Sequence, residues 1–415
     1  MIAAYKLKRY SRKGVSIIKN EGFLSLGIKL LQKLQKRQQQ QSTNVRIKKK
    51  FDSLVDRKSV MAADWSNFPY KKPTTKTKAP YTINWIMSPP AGGGGHQNIF
   101  RFIEILDKAG HTNNVYLYSA HDDMTIEQAA KNVSAYCRAD NLIFRKYDGT
   151  MVESDALFAT GWETAYPAFN QQTTAHKFYF VQDFEPLFYP MGTNYILAEN
   201  TYKFGFHGIT AGGWLDNKLT DTYGMSCDHY DFGADKTKYK LKNNKKRKEV
   251  FFYARPVTDR RGFDLGLMSL ELFHKQMPEY IINFAGWDVS EWDVPFPYIN
   301  HGAMQIDELP DLYNKCAVAL VPSLTNMSLM PLELLATGTI PVVNDMDNNR
   351  LVSNNKYIAY TESSPAALAQ KMVEVVTRED QPEYAKRASN SVSTTGWDDA
   401  GKKFLKVLER ELSNG

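Results

Sequence analysis

Residues 81–119 read YTINWIMSPPAGGGGHQNIFRFIEILDKAGHTNNVYLYS. Tyr81–Met87 is a short run of apolar and β-prone side chains. Ser88-Pro-Pro-Ala and four glycines, Gly92–Gly95, interrupt it, and His96 follows. Ile99, Phe102, Ile103, Ile105 and Leu106 then recur at helical spacing as far as Gly110, and Asn114–Ser119 is a second β-prone run. Strand, glycine loop, helix, strand is a βαβ unit, and it opens a Rossmann-like parallel α/β domain. Glycines in such a turn let backbone N–H groups approach a ligand, and the positive end of the following helix favours phosphate or sugar oxygens. Gly93, Gly94, Gly95 and His96 are therefore candidate ligand contacts. The plainer reading is a tight turn under solvent. The run is not GxGxxG with an acid about 20 residues on, so it does not read as a dinucleotide fingerprint.

The alternation continues outward. Asn141–Arg145, Ala156–Thr160, Lys177–Val181 and Gly205–Thr210 read as further strands. In open α/β sheets, ligands lie beyond the carboxyl ends of the strands. Glu163 follows one strand, and Asp183 and Glu185 follow the next, in Gln182-Asp-Phe-Glu-Pro186. A carboxylate there can bind sugar hydroxyls or take a proton, which makes Asp183 and Glu185 candidate catalytic groups. Asp183 also fits a helix N-cap. Lys236–Lys248 holds eight Lys/Arg and reads as a solvated loop. Glu249–Ala254, Tyr280–Ala285, Ala317–Val321 and Thr339–Val343 then give a second α/β unit, and Trp397–Leu412 is one amphipathic helix. The expected division is an extension over 1–80, domains over 81–245 and 246–396, and a terminal helix over 397–415.

The chain has 415 residues, of which 43% are hydrophobic, enough for sizeable cores and too many for a disordered chain. Its formal net charge of +7 is uneven: residues 1–80 carry 20 Lys/Arg against 4 Asp/Glu, and the other 335 carry 32 against 41. Within the basic arm, Ile17, Phe23, Leu24, Leu26, Ile28, Leu30, Leu31 and Leu34 form an apolar helical stripe among lysines. Such a stretch lies on an anionic membrane surface, the partner considered for residues 1–50, or packs on its own domain. No nucleic-acid recognition motif accompanies the arm. Cys137, Cys227 and Cys316 are too few and too scattered for a disulfide framework, which suits a reducing compartment. With no long apolar run and no secretory signal pattern, the expected location is cytoplasmic, on the inner face of the cell membrane if the arm binds lipid.

The second unit carries the more specific pattern: strand-Arg255-x5-Arg261-Gly262, a strand ending at Gly286, then Pro322-Ser323, Asn326-Met-Ser-Leu-Met-Pro331, Glu333, Gly338 and Pro341-Val-Val. Together with the glycine loop, it resembles the retaining nucleotide-sugar glycosyltransferases of the GT-B fold, in which two Rossmann-like domains face each other across a cleft. The resemblance covers roughly residues 81–412. The segments 182–186 and 326–331 are similar to rhamnosyltransferases that build bacterial surface polysaccharides, among them the dTDP-rhamnose-dependent enzymes of S-layer glycan assembly. The resemblance implies a donor, dTDP-L-rhamnose, bound mainly by residues 246–396, and an oligosaccharide or lipid-linked glycan acceptor bound by 81–245. Arg255 and Arg261 would hold the diphosphate and stabilise charge as the glycosidic bond breaks. The N–H groups of Met327, Ser328 and Leu329 would cap phosphates, and Glu333, whose family counterpart accepts from the ribose hydroxyls, would here accept from the 3′-hydroxyl alone, because thymidine's sugar lacks the 2′-hydroxyl. Where the family often has a glutamate eight residues before Glu333, this chain has Thr325. Asp345-Met-Asp347 matches a DxD metal motif, but it trails Pro341-Val-Val within the continuing pattern and arginines already supply positive charge, so no metal or other cofactor is expected. His207, Asp228 and His229 lack ligand spacing. The competing readings are transfer of another sugar and a non-catalytic binding component of an assembly complex.

Overall fold

A computed structural model describes residues 56–119, 124–393 and 396–414. The apolar stripe of the basic arm lies outside them. Two parallel sheets organise the chain. The first contains β1 (Thr82–Met87), β2 (Thr112–Leu117), β3 (Leu142–Lys146), β4 (Ala156–Ala159), β5 (His176–Val181), β6 (His207–Ala211) and β7 (Cys227–Tyr230), in the order 3-2-1-4-5-6-7. The second contains β8 (Glu249–Tyr253), β9 (Ile281–Ala285), β10 (Ile299–Asn300), β11 (Cys316–Leu320), β12 (Ile340–Asn344) and β13 (Ala359–Thr361), in the order 10-9-8-11-12-13. Each order reverses beside its first strand, the doubly wound pattern that opens a crevice at the carboxyl ends. Strands covered on both faces read as unbroken apolar runs. β4, β5, β11 and β12 are buried throughout.

The helices lie between the strands: α1 (Arg57–Ala62) precedes the first sheet, followed by α2 (Gly94–Lys108), α3 (Ile126–Ser134), α4 (Trp162–Asn170), α5 (Thr193–Asn200) and α6 (Gly213–Tyr223). The second unit has α7 (Phe263–Gln276), α8 (Leu309–Tyr313), α9 (Met330–Ala336), α10 (Asp347–Arg350), α11 (Pro365–Val376) and α12 (Gln381–Asn390). The last helix, α13 (Trp397–Asn414), returns to the first domain. Its Phe404, Leu408 and Leu412 are fully buried in the first core. Phe404 lies 4.9 Å from Phe102 and 5.8 Å from Phe158, next to the stacked pair Trp85 and Phe158 at 4.3 Å.

Two features of the linker depart from the reading of a solvated loop over 236–248. Tyr239, like Ala234 just ahead of the run, is already buried in the second core. Arg247 is 3% exposed, and its guanidinium donates to the carbonyls of Asn243, Cys316 and Thr337 at 2.8–3.1 Å. Those carbonyls offset the loss of hydration that burying a cation costs. Among the described residues no helix is long and apolar enough to cross a membrane.

Candidate active site

The two domains meet at the carboxyl ends of their strands. From the second domain, the loop after β11 is fixed by three asparagine side chains. Asn344 accepts from the Ser323 N–H at 2.7 Å and returns a bond to the Ser323 carbonyl at 2.9 Å. Asn348 and Asn349 donate to that carbonyl at 3.1 and 3.0 Å, and Asn348 also donates to the carbonyl of Thr325. These bonds shape a loop without regular secondary structure and satisfy its Ser323 and Thr325 carbonyls internally.

The loop grips the first domain. Asn326 donates through Nδ2 to the carbonyls of Gln182 and Ala211, at 3.0 and 2.9 Å, closing on the ends of β5 and β6. Asp183 answers in the other direction. Its Oδ2 accepts from Thr325 Oγ1 and its Oδ1 from the Asn326 N–H, both at 2.9 Å. Asp183 is thus a buried carboxylate clasped by the opposite domain. Burial pushes its pKa up, against the pull of Arg261, the Asn326 N–H, Arg260 and Thr325.

Three guanidiniums cluster on the second-domain side. Arg260 Nε lies 3.6 Å from Asp183 Oδ2, and its plane stands 4.0 Å over the Phe188 ring. Arg261 donates to Ser323 Oγ at 3.2 Å. Arg255 reaches the Gly286 carbonyl at 3.5 Å and stands 5.7 Å over Trp287. Burial lowers the pKa of Arg260, partly offset by Asp183, and the charges of Arg261 and Arg255 lower it further. Three cations beside one carboxylate leave an excess of positive charge at a strand-end cleft, the setting for an anionic ligand. Arg260 was not distinguished by sequence, because spacing alone does not rank two adjacent arginines.

The remaining expected residues divide. Glu333 lies on α9 facing the linker; the Tyr239 hydroxyl donates to it and the Arg101 charge acts on it. Burial nevertheless raises its carboxyl to about 7. The Ser328 and Leu329 N–H groups donate to no acceptor among the described residues, whereas the Met327 N–H donates to the Asn348 carbonyl at 3.2 Å. Met327 is therefore not free to cap a phosphate, because the loop consumes its donor. Glu185 is also withdrawn from substrate. Its Oε2 accepts from the Trp162 N–H at 2.5 Å and the Tyr179 hydroxyl at 3.0 Å, capping α4. Burial first, then the nearby Glu163 charge, raises the Glu185 carboxyl well above its ordinary range. His96 turns back to Ser88, its Nε2 3.1 Å from the carbonyl, and burial lowers its pKa. A Cβ added at Gly93 or Gly94 would meet nothing within 4 Å, so that part of the loop faces open space. Asp345 forms a two-point ion pair with Arg350 at 2.6 and 2.7 Å, which engages one half of the DxD pair. Among the described residues no group of three or more acidic, His or Cys side chains is arranged to hold a metal ion.

Residues 108–211 match the model of the WsaF N-terminal domain and residues 248–373 that of the WsaF C-terminal domain, together more than half of the chain. The chain belongs to the WsaF family. A curated relative, the O-antigen biosynthesis protein RfbC of Myxococcus xanthus, is 27% identical over 372 residues, which are 83% of this chain but 29% of that protein. The chain therefore spans less than a third of that relative's length. Among solved structures, a glycosyltransferase from Rickettsia africae superposes with a TM-score of 0.60 at 13% identity, over 81% of this chain and all of the other. HepE of Anabaena, solved with UDP and glucose, gives 0.62 at 12% identity, over 79% of this chain and 99% of the other. These likenesses show the GT-B fold in this WsaF-family chain.

Proposed function

We propose that this WsaF-family chain transfers L-rhamnose from dTDP-L-rhamnose to a hydroxyl of a growing surface glycan, with retention of configuration. The observation that carries the donor half is the convergence of Arg255, Arg260 and Arg261 beside Ser323, at the cleft where the clasped Asp183 enters from the other domain. A nucleoside diphosphate carries about two negative charges, and each charge-assisted bond to a guanidinium contributes roughly 1.5–3 kcal/mol. The resemblance of segments 182–186 and 326–331 to rhamnosyltransferases supports the choice of sugar. The name of the RfbC relative supports a role in polysaccharide assembly.

The arginines would hold the diphosphate and balance the charge it gains as the bond from the sugar carbon to the phosphate oxygen breaks. In a front-face reaction, the acceptor oxygen forms the new bond to that carbon, and its proton passes to the leaving diphosphate. The electron pair of the broken bond stays on the diphosphate. Asp183 would position the 323–326 loop against the first domain. The guanidiniums would supply the neutralising charge without a metal ion. A lipid-linked acceptor at an anionic membrane surface would give the basic arm its purpose.

Thermal denaturation with dTDP, UDP, GDP and ADP, with and without EDTA and Mg²⁺, tests this, because a ligand of the folded state raises the melting temperature. A rise with dTDP that EDTA leaves unchanged is expected. A rise only with another nucleotide discards rhamnose, and a rise that needs Mg²⁺ discards the metal-free site. No rise with any nucleotide overturns the donor site.

A further inference from the structure

A second concavity opens on the same edge of the first sheet, away from the arginines. It has a volume of about 370 Å³ and lies at the carboxyl ends of β1, β2 and β3. Tyr118, Tyr147, Lys146 and Asp148 come from the strand ends, and Asp56 and Ser59 come from the segment ahead of the domain. That segment is fastened: the Asp56 N–H donates to the Tyr118 hydroxyl at 3.2 Å, and the Ser59 carbonyl accepts from Asn170 at 2.8 Å. The Tyr118 and Tyr147 rings meet edge to face at 5.7 Å. Lys146 and Asp148 are exposed, and Lys146 makes no ion pair among the described residues.

We infer that this pocket is a distal subsite for an upstream sugar residue of the acceptor glycan. The inference rests on the glycosyltransferase reading above. A pyranose has an apolar C–H face and a rim of hydroxyls. Aromatic rings with polar tips, flanked by a carboxylate, an ammonium and a serine, match both parts. The volume is at the small end of ligand sites, which run roughly 300–1,000 Å³, so it suits a short stretch of glycan. Position separates it from the reacting sugar. In the order 3-2-1-4-5-6, the ends of β1 and β2 lie two and three strands from the end of β5, where Asp183 stands. At 4.7–4.9 Å per strand this is roughly 10–15 Å. Glu163, in the first turn of α4 just after the intervening β4, is half-buried. Binding energy gathered away from the reacting centre can hold a long acceptor in register.

The test compares methyl α-L-rhamnopyranoside with a rhamnotetraose, titrated calorimetrically against the full chain in the presence of dTDP. The native chain should bind the tetraose at least ten-fold more tightly. Tyr147→Ala and Asp148→Ala, the latter an exposed residue whose carboxylate accepts from the neighbouring Thr150, should each reduce that advantage by five-fold or more while keeping the dTDP-induced rise in melting temperature. An unchanged advantage in both variants overturns the subsite, as does no advantage in the native chain. A native chain that dTDP does not stabilise fails the donor reading, and the oligosaccharide comparison, repeated without dTDP, still judges the pocket.

Discussion

Asp183 shows how one side chain can be placed correctly by sequence and given an incomplete role. Its position after β5 was legible from the strand, but its partners Thr325 and Asn326 lie more than 140 residues away and no local pattern announces them. Glu185 also ends in a structural role, its acceptor oxygen spent on the Trp162 N–H and the Tyr179 hydroxyl, 23 and 6 residues away. The arginines were legible in part: Arg255 and Arg261 stood out by their spacing, and Arg260 did not. Arg261→Ala should weaken dTDP binding about ten- to a hundred-fold, the worth of one charge-assisted contact. Arg261→Lys should recover only part of the loss, because the planar fork is gone; calorimetric titration reads both. Glu333 makes a prediction about pH. Its pKa rises from 4.5 to about 7 on folding, mainly through burial. Between those values the unfolded chain binds fewer protons than the native one, so this group's contribution to stability falls as pH rises through the window. Glu333→Gln should escape that fall. Relative to the native chain it should gain up to about 3 kcal/mol at pH 8 and nothing near pH 4. Urea unfolding at both pH values measures this, and parallel pH profiles would remove Glu333 as the source.

At the scale of elements, the apolar runs of β5, β8, β11 and β12 announced buried parallel strands, and the glycine loop announced the start of α2. The 323–328 loop was not legible in the same way. Its shape depends on Asn344, Asn348 and Asn349, in a stretch whose aspartates drew attention as a metal motif while its asparagines carried the structure. α7 gives a sharper case. Gly266 sits inside this helix, where glycine costs about 1 kcal/mol relative to alanine. A Cβ there would come within 2.2 Å of Cζ of the fully buried Phe252. Gly266→Ala should therefore destabilise the second domain by about 1–3 kcal/mol, with overpacking outweighing the gain in helix propensity. A higher urea midpoint for the variant would show that Phe252 can move aside.

At the scale of the whole molecule, two domains were legible from the repeated strand–helix alternation, but the closure of the first was not. An amphipathic helix at the end of a chain does not say which core it joins. Here α13 crosses back, and Phe404 takes its place among Trp85, Phe102 and Phe158. Phe404→Ala should cost about 3–5 kcal/mol. Calorimetry should show the first domain's transition lowered and the second's unmoved; equal shifts in both would mean that the domains unfold as one. The two connections between the domains touch where they cross: a Cβ on Gly233 would lie 2.6 Å from the carbonyl carbon of Gly396. The returning helix also bears on synthesis. Domains usually mature in the order in which they leave the ribosome, yet the first core here is completed by residues translated after the whole second domain. The nascent first domain must wait with the surface around Trp85 and Phe102 uncovered, and its partner can fold before it does.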